Sequence, residues 1–138
     1  ARADYLRDAD DVGRTTSNIR LVPVPLGKKR RKERGFNQAE EIARRAAREL
    51  DIAVDTGLLV RTRETASQVS LPRHKREENM RGAFTTTLKL RGTSAAELSR
   101  YTYVVIDDVI TTGATLQAAI DALKDAGAKH IVPIALAH

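Results

Sequence analysis

Two carboxylates stand side by side at Asp107–Asp108, and a turn of small and hydroxylated residues follows at Thr111–Thr112–Gly113–Ala114–Thr115. A glycine-containing turn at the start of a helix presents backbone N–H groups and the positive end of the helix dipole. With threonine hydroxyls beside them, these donors form a cup for a phosphate monoester. The turn holds no lysine and no G-x-x-x-x-G-K-[ST] spacing, so it is not a nucleoside triphosphate P-loop. Acids next to a phosphate cup repel the ligand that the cup attracts. A phosphorylated sugar resolves the conflict. The cup takes the phosphate, and Asp107 and Asp108 accept hydrogen bonds from ribose hydroxyls, alone or through Mg²⁺, which prefers carboxylate, water and phosphate oxygens.

Two further stretches carry chemistry. Six of the seven residues from Lys28 to Arg34 are basic, in a loop that runs from Leu26 to Phe36. Such a run is either a solvated patch that attracts nucleic acid or a loop that holds a diphosphate. Residues 61–80 are polar, charged and poor in core residues until a short helix begins near Arg73. A long loop of this kind inside a compact domain suits a lid over a reacting centre as well as an ordinary surface loop.

These groups need a frame. Tyr103–Ile106 is a short β-branched run that suits a strand covered on both faces, with the two acids at its C-terminal end, the edge where open α/β sheets bind ligands. Leu116, Ala119, Ile120 and Leu123 recur at helical spacing, and Gly127 closes that helix. Ile19–Pro25 is a second strand, ending near Pro23 because proline cannot donate to a ladder. Asn37–Glu40 reads as a capping box opening a helix with Ala39, Ile42, Ala43, Ala46, Ala47 and Leu50 on one face. The return strand of this βαβ unit is expected at Leu58–Val60. Ala83–Thr87 is a strand candidate, Leu88–Arg100 a connection with a helical turn at Ala95–Leu98, and His130–Leu136 a final buried strand placed at a sheet edge by Pro133. Residues 1–18 form a separate N-terminal segment, and residues 19–138 the domain.

The 138 residues suffice for one core, and the net charge of +6 favours anionic partners. No cysteine is present, which excludes disulfides, zinc–thiolate sites and thiol nucleophiles from this chain. No apolar run reaches membrane-span length, and a cytoplasmic location is expected. Aromatics are few, so stacking platforms for single-stranded nucleic acid are scarce.

Val104–Thr115 resembles the phosphoribosyl-pyrophosphate (PRPP) motif of type I phosphoribosyltransferases. Val22–Leu26 together with Arg34–Gly35–Phe36–Asn37–Gln38 is similar to the ComF competence-protein family of these enzymes, a family that is amidophosphoribosyltransferase-like. The resemblance covers about residues 20–138. It implies an α/β, three-layer fold with a mainly parallel sheet flanked by helices. It also implies a 5-phosphate site at Ile110, Thr111, Thr112, Gly113, Ala114 and Thr115. The pyrophosphate loop would hold Leu26, Gly27, Lys28, Lys29, Arg30 and Arg34. The flexible loop would carry Thr65, Ser67, Gln68, Arg76 and Asn79. Asp107 and Asp108 are then the catalytic acids, and they meet Mg²⁺ through water. Many ComF-like proteins carry a cysteine-rich zinc segment that this chain lacks, and a hood over the base is expected from residues 1–18 or from a partner.

The reaction implied is transfer of a 5-phosphoribosyl group to a nitrogen nucleophile with release of pyrophosphate. The alternative is a non-catalytic PRPP or nucleotide sensor, or a DNA-uptake accessory that meets DNA or a competence-machinery protein. The acceptor is left open, as is assembly into a homodimer.

Overall fold

Alternation of side chains along a strand decides which helix a strand packs against, and here two strands divide their residues between two helices. The computed structural model describes residues 18–26, 32, 35–62, 72, 82–109 and 113–137. In chain order the elements are β1 (Ile19–Pro23), α1 (Gln38–Leu50), β2 (Ala53–Val54), β3 (Leu59–Arg61), β4 (Phe84–Thr86), the single-turn helices α2 (Leu88–Arg91) and α3 (Ala95–Leu98), β5 (Thr102–Val109), α4 (Ala114–Ala126) and β6 (His130–Ala137).

Four strands form a sheet in the order β2-β1-β5-β6, every pair parallel. The β1–β5 register runs from Ile19 opposite Thr102 to Pro23 opposite Ile106. On one face Leu21 and Ile106 pack against Ala39, Ala43 and Ala47 of α1, whose small side chains let the helix lie close to the sheet. On the other face Val22, Tyr103 and Val105 meet Leu116, Ala119, Ile120 and Leu123 of α4. The β3–β4 hairpin joins that layer through Leu59 and Phe84. The result is the expected three-layer α/β arrangement around a parallel sheet.

Several local expectations hold. β1 stops at Pro23, and the backbone continues its pairing once more through Val24 N–H to the Ile106 carbonyl, 2.8 Å. Gly127 ends α4 with φ 120, and a Cβ there would lie 2.7 Å from the Ala95 Cβ, so glycine lets the end of α4 abut α3. The Tyr103 hydroxyl donates to the Leu98 carbonyl at 2.9 Å, and burial pushes its phenol up to about 12.

Others are corrected. The strand that returns beside β1 is Ala53–Val54, while Leu59–Arg61 pairs antiparallel with Phe84–Thr86. Asp55 causes the difference. Its Oδ1 accepts from Gly57 N–H at 3.1 Å, a local turn that ends β2 after two residues. Arg91 then grips the same carboxylate with two bonds of 2.6 and 2.8 Å and ties the hairpin layer to the sheet edge. The final strand lies at the edge, as Pro133 requires, but it is not buried: Val132, Ile134 and Leu136 are 46%, 42% and 37% exposed. They follow the parity of the α1 face, and the core beneath α1 is built from β1 and β5 rather than β6. Leu50 also stands clear of the core, since Asp51 turns the chain at φ 56 just after it. Among the described residues no helix is long and apolar enough to cross a membrane.

Candidate functional site

β5 carries both acids within its ladder and extends to Val109, with Asp107 opposite Ala135 of β6. Asp107 has the parity of Tyr103 and Val105 and faces the layer of α4 and the hairpin. Asp108 has the parity of Ile106. Asp107 is 7% exposed and Asp108 half-buried. Asp107 Oδ1 accepts from the Asp108 N–H at 2.9 Å, which orients its carboxylate. Burial pushes the Asp107 carboxyl up to about 6; the Asp108 N–H opposes this, the Asp108 charge adds to it, and the positive charge of Arg61 pulls it back.

The helix that follows begins at the same sheet edge. Gly113 precedes it with φ 84 and ψ 0, a left-handed conformation that only glycine adopts without strain, and as a glycine it has no side chain to cap the first turn. The first helical bond runs from Gln117 N–H to the Gly113 carbonyl at 2.8 Å. Ala114 and Thr115, both half-buried, occupy the opening turn. Amides at such a turn point out along the helix axis toward whatever lies at the ends of β5 and β1.

β1 delivers the third component. Because β1 and β5 are parallel and paired to Ile106, the exit of β1 at Pro25–Leu26 lies beside the acids. The re-entry into α1 is pinned by buried Asn37: its Nδ2 donates to the Val24 carbonyl at 3.1 Å, and its Oδ1 accepts from the Glu40 N–H at 3.3 Å. Gly35, at φ 81, makes the turn before it.

The fold thus brings together Asp107, Asp108, Gly113, Ala114, Thr115 and Leu26 at the C-terminal edge of the sheet. Ile110, Thr111, Thr112, Gly27, Lys28, Lys29, Arg30, Arg34, Thr65, Ser67, Gln68, Arg76 and Asn79 lie outside the described residues, as do residues 1–17 and the helix expected near Arg73.

One residue of this edge escaped the reading of the sequence. Arg61 ends β3, donates from its guanidinium to the Pro25 carbonyl at 3.2 Å, and lies over the Phe84 ring, with Cζ 4.8 Å from the centroid. In sequence it reads as the first member of a polar stretch. Its only signal is a cation directly after the apolar run Leu58–Val60.

Among the described residues no group of three or more His, Cys, Asp or Glu could hold a metal ion. Two adjacent carboxylates do fit a hard cation that keeps most of its water and takes further oxygens from a phosphorylated ligand, the mode Mg²⁺ favours. They do not form a cage for a cation held by protein ligands alone.

Residues 35–138 match the family model described as the phosphoribosyl transferase domain. The chain is 36% identical over 97 residues to the DNA utilization protein YhgH of Escherichia coli (strain K12), a match covering 70% of this chain and 39% of that protein. It is 32% identical over 133 residues to Competence protein F of Haemophilus influenzae, covering 95% of this chain and 56% of that protein. The chain therefore matches between two fifths and just over half the length of these relatives.

Proposed function

The chain belongs to the phosphoribosyl transferase domain family, in its ComF-like branch, and from that premise we propose that it binds PRPP and transfers the 5-phosphoribosyl group to a nitrogen nucleophile. The observation that carries this reading is the meeting of three strand and helix ends at one sheet edge: the acids of β5, the glycine-started turn of α4 and the exit of β1.

Each part has a task. The opening turn of α4 at Gly113–Thr115, with Ile110–Thr112 before it, holds the 5-phosphate and uses that remote binding energy to orient the sugar. Asp107 and Asp108 accept from the ribose hydroxyls. Their negative charge favours the oxocarbenium-like sugar that forms as the anomeric C–O bond breaks. The bond's electron pair leaves with pyrophosphate, and the nitrogen lone pair forms the new C–N bond. The basic loop from Lys28 to Arg34, which follows β1 in the sequence, meets the diphosphate. Asp107 and Asp108 would hold Mg²⁺ through water, which when bound would offset the negative charge of the departing pyrophosphate. A cytoplasmic location goes with such a substrate.

The alternative is a non-catalytic protein: a PRPP or nucleotide sensor in which the same edge binds without turnover, or, as the relatives' names of DNA utilization and competence protein favour, an accessory in DNA uptake. Pyrophosphate release from Mg²⁺–PRPP across a panel of bases and ammonia, with titrations of PRPP and of DNA, separates the three. Turnover that is lost in Asp107→Asn or Asp108→Asn supports the transferase. Saturable PRPP binding without release supports the sensor. Salt-steep DNA binding that ignores both substitutions supports the DNA role.

A further inference from the structure

A parallel sheet needs cover on both faces, and here one face is covered unevenly. The layer of α4 and the β3–β4 hairpin carries the larger core, and α2 and α3 join it through Leu88 and Leu98. On the opposite face α1 is the one helix among the described residues, and it lies over β1 and β5. Arg44 donates to the Thr56 hydroxyl at 3.4 Å, which turns that flank of α1 toward β2. Ile42 and Ala46, both half-buried, are on the other flank and border the strip above β6. The floor of the strip is apolar. Val104 is half-buried opposite Val132, and Val132, Ile134 and Leu136 follow at every second residue, all exposed. No charged side chain occurs from Ile131 to Ala137. A row of exposed branched side chains on one sheet face marks a surface where another element packs.

We propose that the chain's own N-terminal segment covers this strip, with residues 5–12 lying as a helix along β6 beside α1. Tyr5, Leu6, Ala9 and Val12 recur at helical spacing, and Arg7, Asp8, Asp10 and Asp11 take the other positions. Eight helical residues extend about 12 Å, and the strip from Val132 to Leu136 about 13 Å. The segment also enters the fold at a suitable place. The Asn18 carbonyl accepts from the Thr102 N–H at 2.8 Å, so residue 18 stands at the N-terminal edge of the sheet beside β5. A helix axis above β6 lies about 10 Å across from there and about 10 Å up, and residues 13–17 reach about 17 Å when extended. Charge favours the same occupant. Residues 5–12 hold one arginine and three aspartates, a net −2 on a chain of +6, so the segment is drawn to the remainder of its chain, whereas two copies of the chain repel. Entering β1 from this strip, the helix runs antiparallel to β6, which sets Val12 over Val132 and Leu6 near Leu136. There the segment is a wall of the α1 layer and not the hood expected over the base. This assignment does not depend on what the site binds.

The chain has no cysteine, so an introduced pair reports on this contact alone. In the full chain, Val12→Cys with Val132→Cys should oxidise to a disulfide within one chain in most molecules, read by non-reducing electrophoresis and mass spectrometry. Val12→Cys with Leu136→Cys, about 13 Å farther along the strand, should close about tenfold less. Equal closure of the two pairs, no closure of the first, or a disulfide joining two chains overturns the proposal; the last result gives the strip to a second copy. A melting comparison needs no cysteine and decides the matter if the cysteine pairs misfold. Ile134→Ala should lower Tm by about 4–8 °C in the wild type, and by less than half as much beside Leu6→Asp and Val12→Asp together, which detach the segment. A loss below about 1 °C, as for a side chain left in water, or equal losses in both backgrounds, overturns the proposal.

Discussion

The two 13-residue helices α1 and α4 both follow a strand of the same parallel sheet and both start at its C-terminal edge, yet they begin in opposite ways. α1 is capped by its own sequence: Asn37 sits in extended backbone, takes the Glu40 N–H and ties itself to Val24 of the strand behind it. α4 starts from Gly113, which has no side chain to give and sits at φ 84. A helix that caps itself has stability as its first concern. One that starts from glycine brings no capping side chain of its own to that turn. On the proposed function phosphate binding falls to α4 and scaffolding to α1, and substitutions on the two sides should separate cleanly.

The largest effect is expected at the acids. Asp107→Asn and Asp108→Asn should each reduce pyrophosphate release on the order of 100-fold or more, measured under saturating Mg²⁺–PRPP. Asp107→Asn should at the same time stabilise the fold. The folded carboxyl lies near 6, above its ordinary value of 3.8, so its contribution to stability is fully present below about pH 4 and is lost as pH rises through 6. The melting temperature of Asp107→Asn should therefore exceed that of wild type by more at pH 7.5 than at pH 4, reflecting on the order of 1–3 kcal/mol. A gap that narrows with rising pH would contradict the buried, destabilised carboxylate.

Next comes the cap of α1. Asn37→Ala removes the bond to Glu40 and leaves the Val24 carbonyl without its side-chain donor, which should cost about 2 kcal/mol in denaturant titration while phosphate affinity stays unchanged. Gly113→Ala should behave the other way. A Cβ there meets nothing within 4 Å, so the penalty is conformational, about 1 kcal/mol of strain, while phosphate affinity falls severalfold as the turn relaxes. Equal losses of stability and affinity in both variants would erase the contrast between the helices.

The smallest effect lies at Asp55. The Arg91 guanidinium holds its carboxyl below the usual carboxylate range, so this pair stabilises above about pH 4 and the contribution is lost as pH falls through the lowered value. Both partners are partly exposed, and Asp55→Asn should cost only about 0.5–1 kcal/mol at pH 7, with the difference from wild type shrinking in acid.

What the sequence shows on its own follows from the range of the signals. The end of β1 at Pro23, the cap at Asn37 and the stop at Gly127 are each written within a few neighbouring residues, whereas β5 runs past the expected end at Ile106 and takes both acids into its ladder. The three local signals appear where local chemistry puts them. The return strand is different. Leu58–Val60 is the more apolar candidate, but the turn at Asp55 and a bidentate grip from Arg91, 36 residues away, give the place to Ala53–Val54. Arg61 is hidden for the same reason: its partner Pro25 also lies 36 residues away and offers only a backbone carbonyl, which no residue type announces. The exposure of Val132, Ile134 and Leu136 likewise depends on where α1 lies, a tertiary matter that an apolar run cannot express.

Calorimetric titration of Mg²⁺–PRPP into the wild type and the Gly113→Ala and Asp107→Asn variants tests the central claim most directly. Saturable binding at one site per chain, weakened severalfold by Gly113→Ala and more by Asp107→Asn, is the expected result. Absence of binding to the wild type, or binding that neither substitution changes, would contradict a phosphoribosyl site at the junction of β5 and α4.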